Sequence, residues 1–485
     1  MENILKGRRP LWLVFGLALL LRVIYILEID QSPLFAHPAV DSETYTRQAM
    51  QLATGNWLGV GQGPFWQPPL YPYFLGVVQA LAPGTFFHAA RLVQALMGAL
   101  VCAMVFWIGR HLFNPAVGLM AAVAAALYGP LIFFDGELLP ATLSVFLNMA
   151  ALVVLLGVWR RPTGWGFLGA GAAFGLGALA VPTVMVFAVM VPIDLLRRFP
   201  HRLGLEYTVV FMLGCMLPIA PVAARNAYIG GDGVGISYNM GINFYIGNNP
   251  DYERTVAIRP GWEWDALVTQ PAREGITRPS AKSAYFMDQA WTHIAADPVW
   301  WMGLMMSKLG AFWHGDESGR NQPIYYWRNY SAVLSATLWK EGIAFPFGLL
   351  APLAMWGLLL SLRRIGPTPP MIYVMSYCMG VAMFFVAARY RVPVLPVLLV
   401  FAAYGVWGLY DWARVGRWDG VGLGLAVFAL FAIPANRDLG SMEMDGDAAI
   451  HYNLGNAYAR GGEREKALAA FARSVEIGPR YWQAW

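Results

Sequence analysis

Apolar stretches bounded by arginine recur along this chain, and they constrain its fold more than any other feature. A transmembrane helix needs about 20 predominantly apolar residues. Residues 11–27 form the first such stretch, preceded by Lys6, Arg8 and Arg9. The positive-inside rule keeps those cations in the cytoplasm, so the first span runs outward. Residues 89–108 return to Arg110 and His111, 116–133 go out again, and 139–158 come back to Arg160 and Arg161. The glycine-rich run 165–194 is interrupted near Pro182 and reads as two short spans ending at Arg197 and Arg198, with glycine permitting close helix contact. Segments 206–224, 342–361, 371–387, 392–410 and 420–435 bring the expected total to eleven spans. Residues 70–82 are apolar but short and follow Pro68 and Pro69, which suits a helix lying at the surface.

With 58% hydrophobic and only 13% charged residues, the chain is too apolar for a soluble protein of this size. In lipid the backbone must satisfy its own hydrogen bonds, so segments of this length are helices and the expected fold is all-α and polytopic. The net charge of +5 does not call for nucleic acid, because the basic residues sit in short loops where orientation accounts for them. Residues 11–27 read as a retained span, since no small-residue cleavage site follows closely. Cys102, Cys215 and Cys378 lie far apart in apolar runs and suggest small core residues. The seven histidines show no zinc spacing, and a Walker loop or dinucleotide-binding glycine motif is missing, which disfavours a nucleotide-driven transporter.

The chemistry-bearing residues collect on the outer side of this topology. Asp41 and Glu43 stand in the first long polar interval, 37–73, with no basic residue following before Arg47. A carboxylate just outside the bilayer is stable yet close to a lipid-embedded substrate, which suits a general base; both residues could equally solvate a loop. On a strand the two would share a face, and on a helix they would diverge by about 200°. Asp135 and Glu137, in FFDGELLP, reach the same side and could neutralise a cation or a basic group, or simply cap a helix. Arg389, Tyr390 and Arg391 stand where a span reaches the outer surface, so the arginines suit a phosphate or, alternatively, lipid headgroups. Lys308, in the apolar run MMSKLGAFW, is costly without an anion and is a second phosphate candidate. In GINFYIGNNP, Asn243 and Asn248 beside aromatic residues suit sugar hydroxyls and ring faces, although an asparagine-rich turn has the same letters.

Two larger units follow. Residues 225–341 read as a folded outer loop, in which 299–313 are apolar enough for a surface or re-entrant helix. Residues 448–481 fit a helix-turn-helix repeat of the tetratricopeptide kind, with Leu454, Gly455, Tyr458, Ala467, Phe471 and Pro479 at its offsets and Trp485 where a next repeat would begin. One such unit cannot bury its own apolar face, so a longer array and a protein partner for it are expected. The division is thus a membrane domain, 1–443, and a repeat segment, 444–485.

The fragments HPAVDSETYTRQAMQLATGNW, GPFWQPPLYPYFLG, RNAYIGG, GINFYIGNNP, KLGAFWHGDES and FFVAARYRVPVLP, in this order, resemble the membrane-embedded GT-C glycosyltransferases of the protein mannosyltransferase and aminoarabinose transferase type. The resemblance covers roughly residues 10–435. It implies a GT-C fold and an inverting transfer from a polyprenyl-phosphate-linked sugar to a protein, lipid or cell-envelope glycan acceptor, at the outer face of a bacterial cytoplasmic (inner) membrane. It further implies that Asp41 is the base, that Glu43 is a second acid whose role is loosened by the intervening Ser42, that Asp135 or Glu137 supplies the acid of the second loop, and that Arg389 and Arg391 serve the donor phosphate. A divalent cation near Glu43, Asp135 and Glu137 is compatible with it. Two other classes stay open: a flippase or transporter of lipid-linked oligosaccharide, and a non-catalytic scaffold presenting outer repeats.

Overall fold

The computed structural model describes residues 9–317, 319, 324–437 and 443–479. Lys6, Arg8 and Trp485, used above for orientation and for the repeat register, lie outside them. The chain is helical throughout. Its membrane part contains α1 (Arg9–Ile29), α2 (Val40–Ala53), α3 (Leu70–Leu81), α4 (Phe86–Leu112), α5 (Pro115–Ala126), α6 (Gly129–Gly136), α7 (Ala141–Arg160), α8 (Gly164–Ala180), α9 (Met185–Arg198) and α10 (His201–Tyr228). An intervening region follows with α11 (Met240–Gly247), α12 (Pro279–Ala296) and α13 (Pro298–Phe312). The chain then returns through α14 (Phe347–Ile365), α15 (Pro369–Ala382), α16 (Leu395–Arg414) and α17 (Trp418–Ala435), and finishes in α18 (Glu443–Arg460) and α19 (Arg464–Ile477).

Among the described residues, 7 helices are long and apolar enough to cross a membrane, or 8 if the bent pair α5 and α6 counts as one crossing. The expected eleven spans are therefore corrected. Helices α8, α9 and α15 have only 17, 14 and 14 residues, less than a bilayer crossing requires. Proline sets the breaks: a 3-10 turn at Pro182–Val184 separates α8 from α9. Interrupted helices are tolerated at membrane depth where protein covers them. Here α8 lies against α7 and α10, and α15 against α9 and α13. The α8–α10 contact is as close as the glycines suggest, since a Cβ on Gly171 would stand 2.1 Å from the Phe211 carbonyl oxygen. Cys102, Cys215 and Cys378 are buried and free.

Helix α16 forms the centre, buried along most of its length and flanked by α4, α5, α14 and α17. The bend between α5 and α6 is 51°, and it turns α6 and Asp135 into the protein interior. Helix α3 has 12 residues and packs on α2, so it does not cross. The intervening region closes on its own apolar cluster of Ile242, Ile246, Leu267 and Phe286, joined by Phe385 just after α15. Asp232 ties its two ends, accepting from the Ser280 N–H at 2.7 Å and from Arg278 at 3.1 Å.

Helices α18 and α19 form a hairpin. Gly455 faces the Phe471 ring, which a Cβ there would meet at 2.5 Å, and the Ser474 hydroxyl donates to the Ala448 carbonyl at 2.7 Å. The residue spacing of 448–481 therefore has a packing cause. This is one two-helix unit, and a repeat array is not among the described residues. The hairpin rests on the short turn Pro33–Ala36, shortly before the first turn of α2, which bears Asp41.

Candidate active site

The site begins at the first turn of α2. Val40 has φ 56, a left-handed conformation that a β-branched residue adopts only at a cost of about 1–3 kcal/mol. Strain of this kind persists where surrounding contacts hold it, and the next residue is Asp41. Asp41 and Glu43 occupy the first turn of a helix, so their side chains diverge. Asp41 pairs with the Nη1 group of Arg389, 348 residues further on. Glu43 takes Arg460 of α18 at 2.9 Å. The expectation of an acidic pair without basic neighbours is thereby corrected: both bases come from distant sequence.

Arg389 is aimed by its neighbour, since its Nη2 donates to the Tyr390 hydroxyl at 2.6 Å and its guanidinium lies 4.7 Å from the centre of that ring. Asp41 and Arg389 retain 27% and 20% side-chain exposure, so this ion pair is open to a ligand. Tyr45, one turn on from Asp41, is buried and meets the Tyr71 ring edge to face at 5.2 Å. Burial, with the Asp41 charge as a second cause, pushes its phenol well above the ordinary range. Tyr71 donates to the Gln94 carbonyl oxygen at 2.7 Å, and the Gln94 amide donates to the Asp135 and Glu137 carbonyls at 2.9 and 2.8 Å. A buried polar ladder thus runs from the Asp41 turn to the second outer loop.

At the far end of that ladder the two acids separate. Asp135 accepts from Arg22 Nε at 2.6 Å and from the Thr142 hydroxyl at 2.8 Å, and both members of the ion pair are sealed from solvent. Asp135 thus neutralises a buried arginine within the helix bundle. Glu137 is 5% exposed with Arg91 as its electrostatic neighbour, while Arg91 itself donates to the Gly136 carbonyl at 2.7 Å.

The remaining candidates divide. Lys308 is 1% exposed, donates to Asn248 Oδ1 at 3.2 Å and stands 5.2 Å from the centre of the Tyr252 ring. Burial pushes its ammonium down to about 7. Asn248 spends its amide on the Phe244 and Met383 carbonyls at 2.9 and 2.8 Å and also accepts from Trp301 at 2.9 Å. Its expected sugar contact gives way to a scaffold that aims Lys308. The neighbouring Asn249 likewise binds the Tyr245 carbonyl at 2.8 Å, so the turn reading of this motif holds there. Asn243 is half-buried on α11.

Arg391 does not join Arg389. It is buried against Glu317 at 2.8 Å, donates to the Phe312 and His314 carbonyls at 3.0 and 2.6 Å, and lies 3.5 Å from the centre of the Phe347 ring. Its donors pin the turn after α13, which leaves Arg389, half-buried, as the one accessible member of the expected pair of phosphate-binding arginines. Glu317 is raised from the usual carboxylate range by burial, against the pull of Arg391.

The acids named for a divalent cation have basic neighbours in the structure. Glu43 faces Arg460, Asp135 faces Arg22, and among the described residues no group of three or more His, Cys, Asp or Glu side chains is gathered as a metal site. Several residues that build the site escaped the reading of the sequence. Arg22 carried a signal, because a cation inside an apolar run demands an acid partner. Arg225 carried less: it donates to the Leu58, Gly59 and Gly63 carbonyls at 2.9, 2.9 and 2.7 Å, holding the first outer loop through ordinary main-chain contacts.

The fold and this geometry define an all-α, multi-span membrane protein. Residues 66–224 match the family model described as dolichyl-phosphate-mannose-protein mannosyltransferase. The crystal structure of the Archaeoglobus fulgidus oligosaccharyltransferase, tethered with an acceptor peptide, is similar with a TM-score of 0.50 and 16% identity, over 96% of this chain and 59% of that one. At that identity the likeness concerns the fold. ArnT from Cupriavidus metallidurans, bound to undecaprenyl phosphate, aligns at a TM-score of 0.48 and 16% identity over 99% of this chain and 76% of that one. No curated protein sequence matches the chain.

Proposed function

We propose that this chain is a glycosyltransferase that moves a sugar from a polyprenyl-phosphate-linked donor to an acceptor hydroxyl, with inversion, at the outer face of a bacterial cytoplasmic membrane. The observation that carries the proposal is the Asp41–Arg389 pair, an open carboxylate and guanidinium brought together at the end of the spans from opposite ends of the chain. The family match and the fold support the same reaction class.

In this reading the acceptor oxygen attacks the anomeric carbon, its proton passes to Asp41, and the carbon–oxygen bond to phosphate breaks. Arg389 receives the developing charge on the departing polyprenyl phosphate, and Lys308 is the second cation for it. The resting pair gives the order of events a physical basis. A phosphate that takes up the donors of Arg389 withdraws them from Asp41, and the carboxylate becomes more basic when the donor is in place. Glu137 is a reserve acid at the far end of the buried ladder from Asp41, Arg391 positions the turn after α13, and Asn243 and Tyr390, close in sequence to Asn248 and Arg389, are further candidates for donor contacts. The basic ends at Arg110, Arg160, Arg198, Arg364 and Arg414 support an outer position for the acidic loops. The α18–α19 hairpin, beside the Asp41 loop, is a surface on which a protein-borne acceptor or another protein would meet the site.

The test is transfer of labelled sugar from polyprenyl phosphate by the full chain in membranes with native acceptors, beside Asp41→Asn. Loss of transfer with donor binding retained supports Asp41 as base. Full transfer by D41N removes Asp41 from that role, and absence of transfer by the unaltered chain from any donor removes the enzyme reading.

A further inference from the structure

A groove of about 650 Å³ opens between α1, α4 and α7, on the side of the molecule away from Asp41. Its walls are apolar, with Leu11, Leu100, Met104 and Trp107 among them, and its end is formed by Arg110, His111 and Arg160. The end is built. His111 stacks on Trp107 with ring centres 3.6 Å apart and bonds the Trp107 carbonyl through Nδ1 at 2.9 Å, while Arg160 donates one Nη2 bond to the His111 carbonyl at 3.0 Å. That leaves most of the donors of Arg160 and all of those of Arg110 without a hydrogen bond to a described residue, and neither arginine meets a carboxylate among them. Both are exposed.

We propose that this groove binds one acyl chain of a phospholipid whose anionic headgroup is held by Arg110 and Arg160. Charge complementarity selects the occupant: an apolar trough at membrane depth that ends in two guanidiniums fits a chain with a phosphate at its end. The site is separate from the donor site. Arg91, beside Glu137, and Arg110 are on the same helix and 19 residues apart, which is roughly 30 Å along α4, about the thickness of the hydrocarbon core. The lipid therefore comes from the leaflet opposite the Asp41 loop and packs three spanning helices together from that side.

The full chain, purified in neutral detergent, would be offered phosphatidylglycerol and phosphatidylcholine with matched acyl chains, and retained lipid counted by native mass spectrometry. Each arginine near an anionic headgroup contributes about fivefold, so a preference of roughly thirtyfold for phosphatidylglycerol is expected. The pair R110Q/R160Q should lose that preference, R110K/R160K should keep most of it, and D41N should leave it unchanged. Equal retention of the two lipids by the unaltered chain overturns the proposal, as does a preference that survives R110Q/R160Q. Displacement of phosphatidylglycerol by equimolar polyprenyl phosphate would also overturn it, by assigning the groove to the donor lipid. The lysine pair keeps the test informative if the glutamine pair fails to fold.

Discussion

Two carboxylate–guanidinium pairs are made of the same groups and differ in what surrounds them. Asp135 and Arg22 are 7% and 1% exposed, with Thr142 completing the acid's hydrogen bonds. Asp41 and Arg389 are 27% and 20% exposed, so solvent reaches both groups. A sealed pair can only hold its helices together, because any exchange of partner would strand a charge in low dielectric. An open pair can give up its partner to a ligand. Burial, not residue type, separates the structural acid from the candidate base. The Arg391–Glu317 pair, at 2% and 1%, belongs with the sealed kind although Arg391 is only two residues from Arg389.

The sharpest break in this comparison is kinetic. Asp41→Asn keeps the shape of the side chain and removes its basicity, and transfer should fall by about 10²–10⁴-fold. Its thermal unfolding should move little, since exposed ion pairs contribute roughly 0–1 kcal/mol. Arg22→Ala should show the opposite profile. It strands a buried carboxylate, at about 3–5 kcal/mol, and should be seen as poor accumulation and early unfolding in detergent. The double variant R22M/D135L, with apolar groups of similar volume, should recover most of that loss. If R22A unfolds normally and only transfer falls, the sealed pair is part of the chemistry and the contrast drawn here is wrong.

The contrast also shows what was legible in the residues alone. The spans were, because a charge or a polar backbone cannot face lipid, and the outer acids stood out against that background. The number of crossings was not, because helices α8, α9 and α15 are shortened by proline and covered by protein, and apolar content does not record who covers a helix. Asp41 and Arg389 could be singled out, but their contact could not, with 348 residues between them. Arg389 and Arg391 looked alike in ARYR; two residues apart on a helical turn they diverge by about 200°, the first meeting Asp41 and the second Glu317. Asn248 looked like a sugar ligand until its amide was found committed to two carbonyls.

Lys308 gives a smaller effect with a defined pH window. Burial lowers its ammonium from 10.5 to about 7, so between those values the unfolded chain holds a proton that the folded chain has released. Stability should therefore rise with pH across that window, and Lys308→Met should flatten the dependence and favour the folded state near pH 6. Donor affinity should run the other way. A phosphate needs the protonated amine, so the donor KM should increase by up to about tenfold per unit above pH 7, and should be flat in K308M. A KM that is independent of pH in the unaltered chain would remove Lys308 from the donor site.

Glu43 separates the two kinds of pair at the smallest scale. It was expected beside Asp41 as a second acid or a cation ligand, and it instead meets Arg460 at 2.9 Å with both side chains well exposed, 38% for the glutamate and 45% for the arginine. An ion pair this open is screened within a Debye length of about 8 Å at physiological salt and contributes roughly 0.2–1 kcal/mol. Glu43→Gln and Arg460→Gln should each weaken docking of the hairpin on the Pro33–Ala36 turn by no more than that, measured as faster hydrogen exchange in residues 448–477, and 1 M salt should erase the difference. Both variants should retain most of the transfer activity. Should E43Q lose activity as completely as D41N while R460Q stays active, Glu43 acts on substrate directly, and its arginine is a resting partner displaced in turnover, as Arg389 is proposed to be for Asp41.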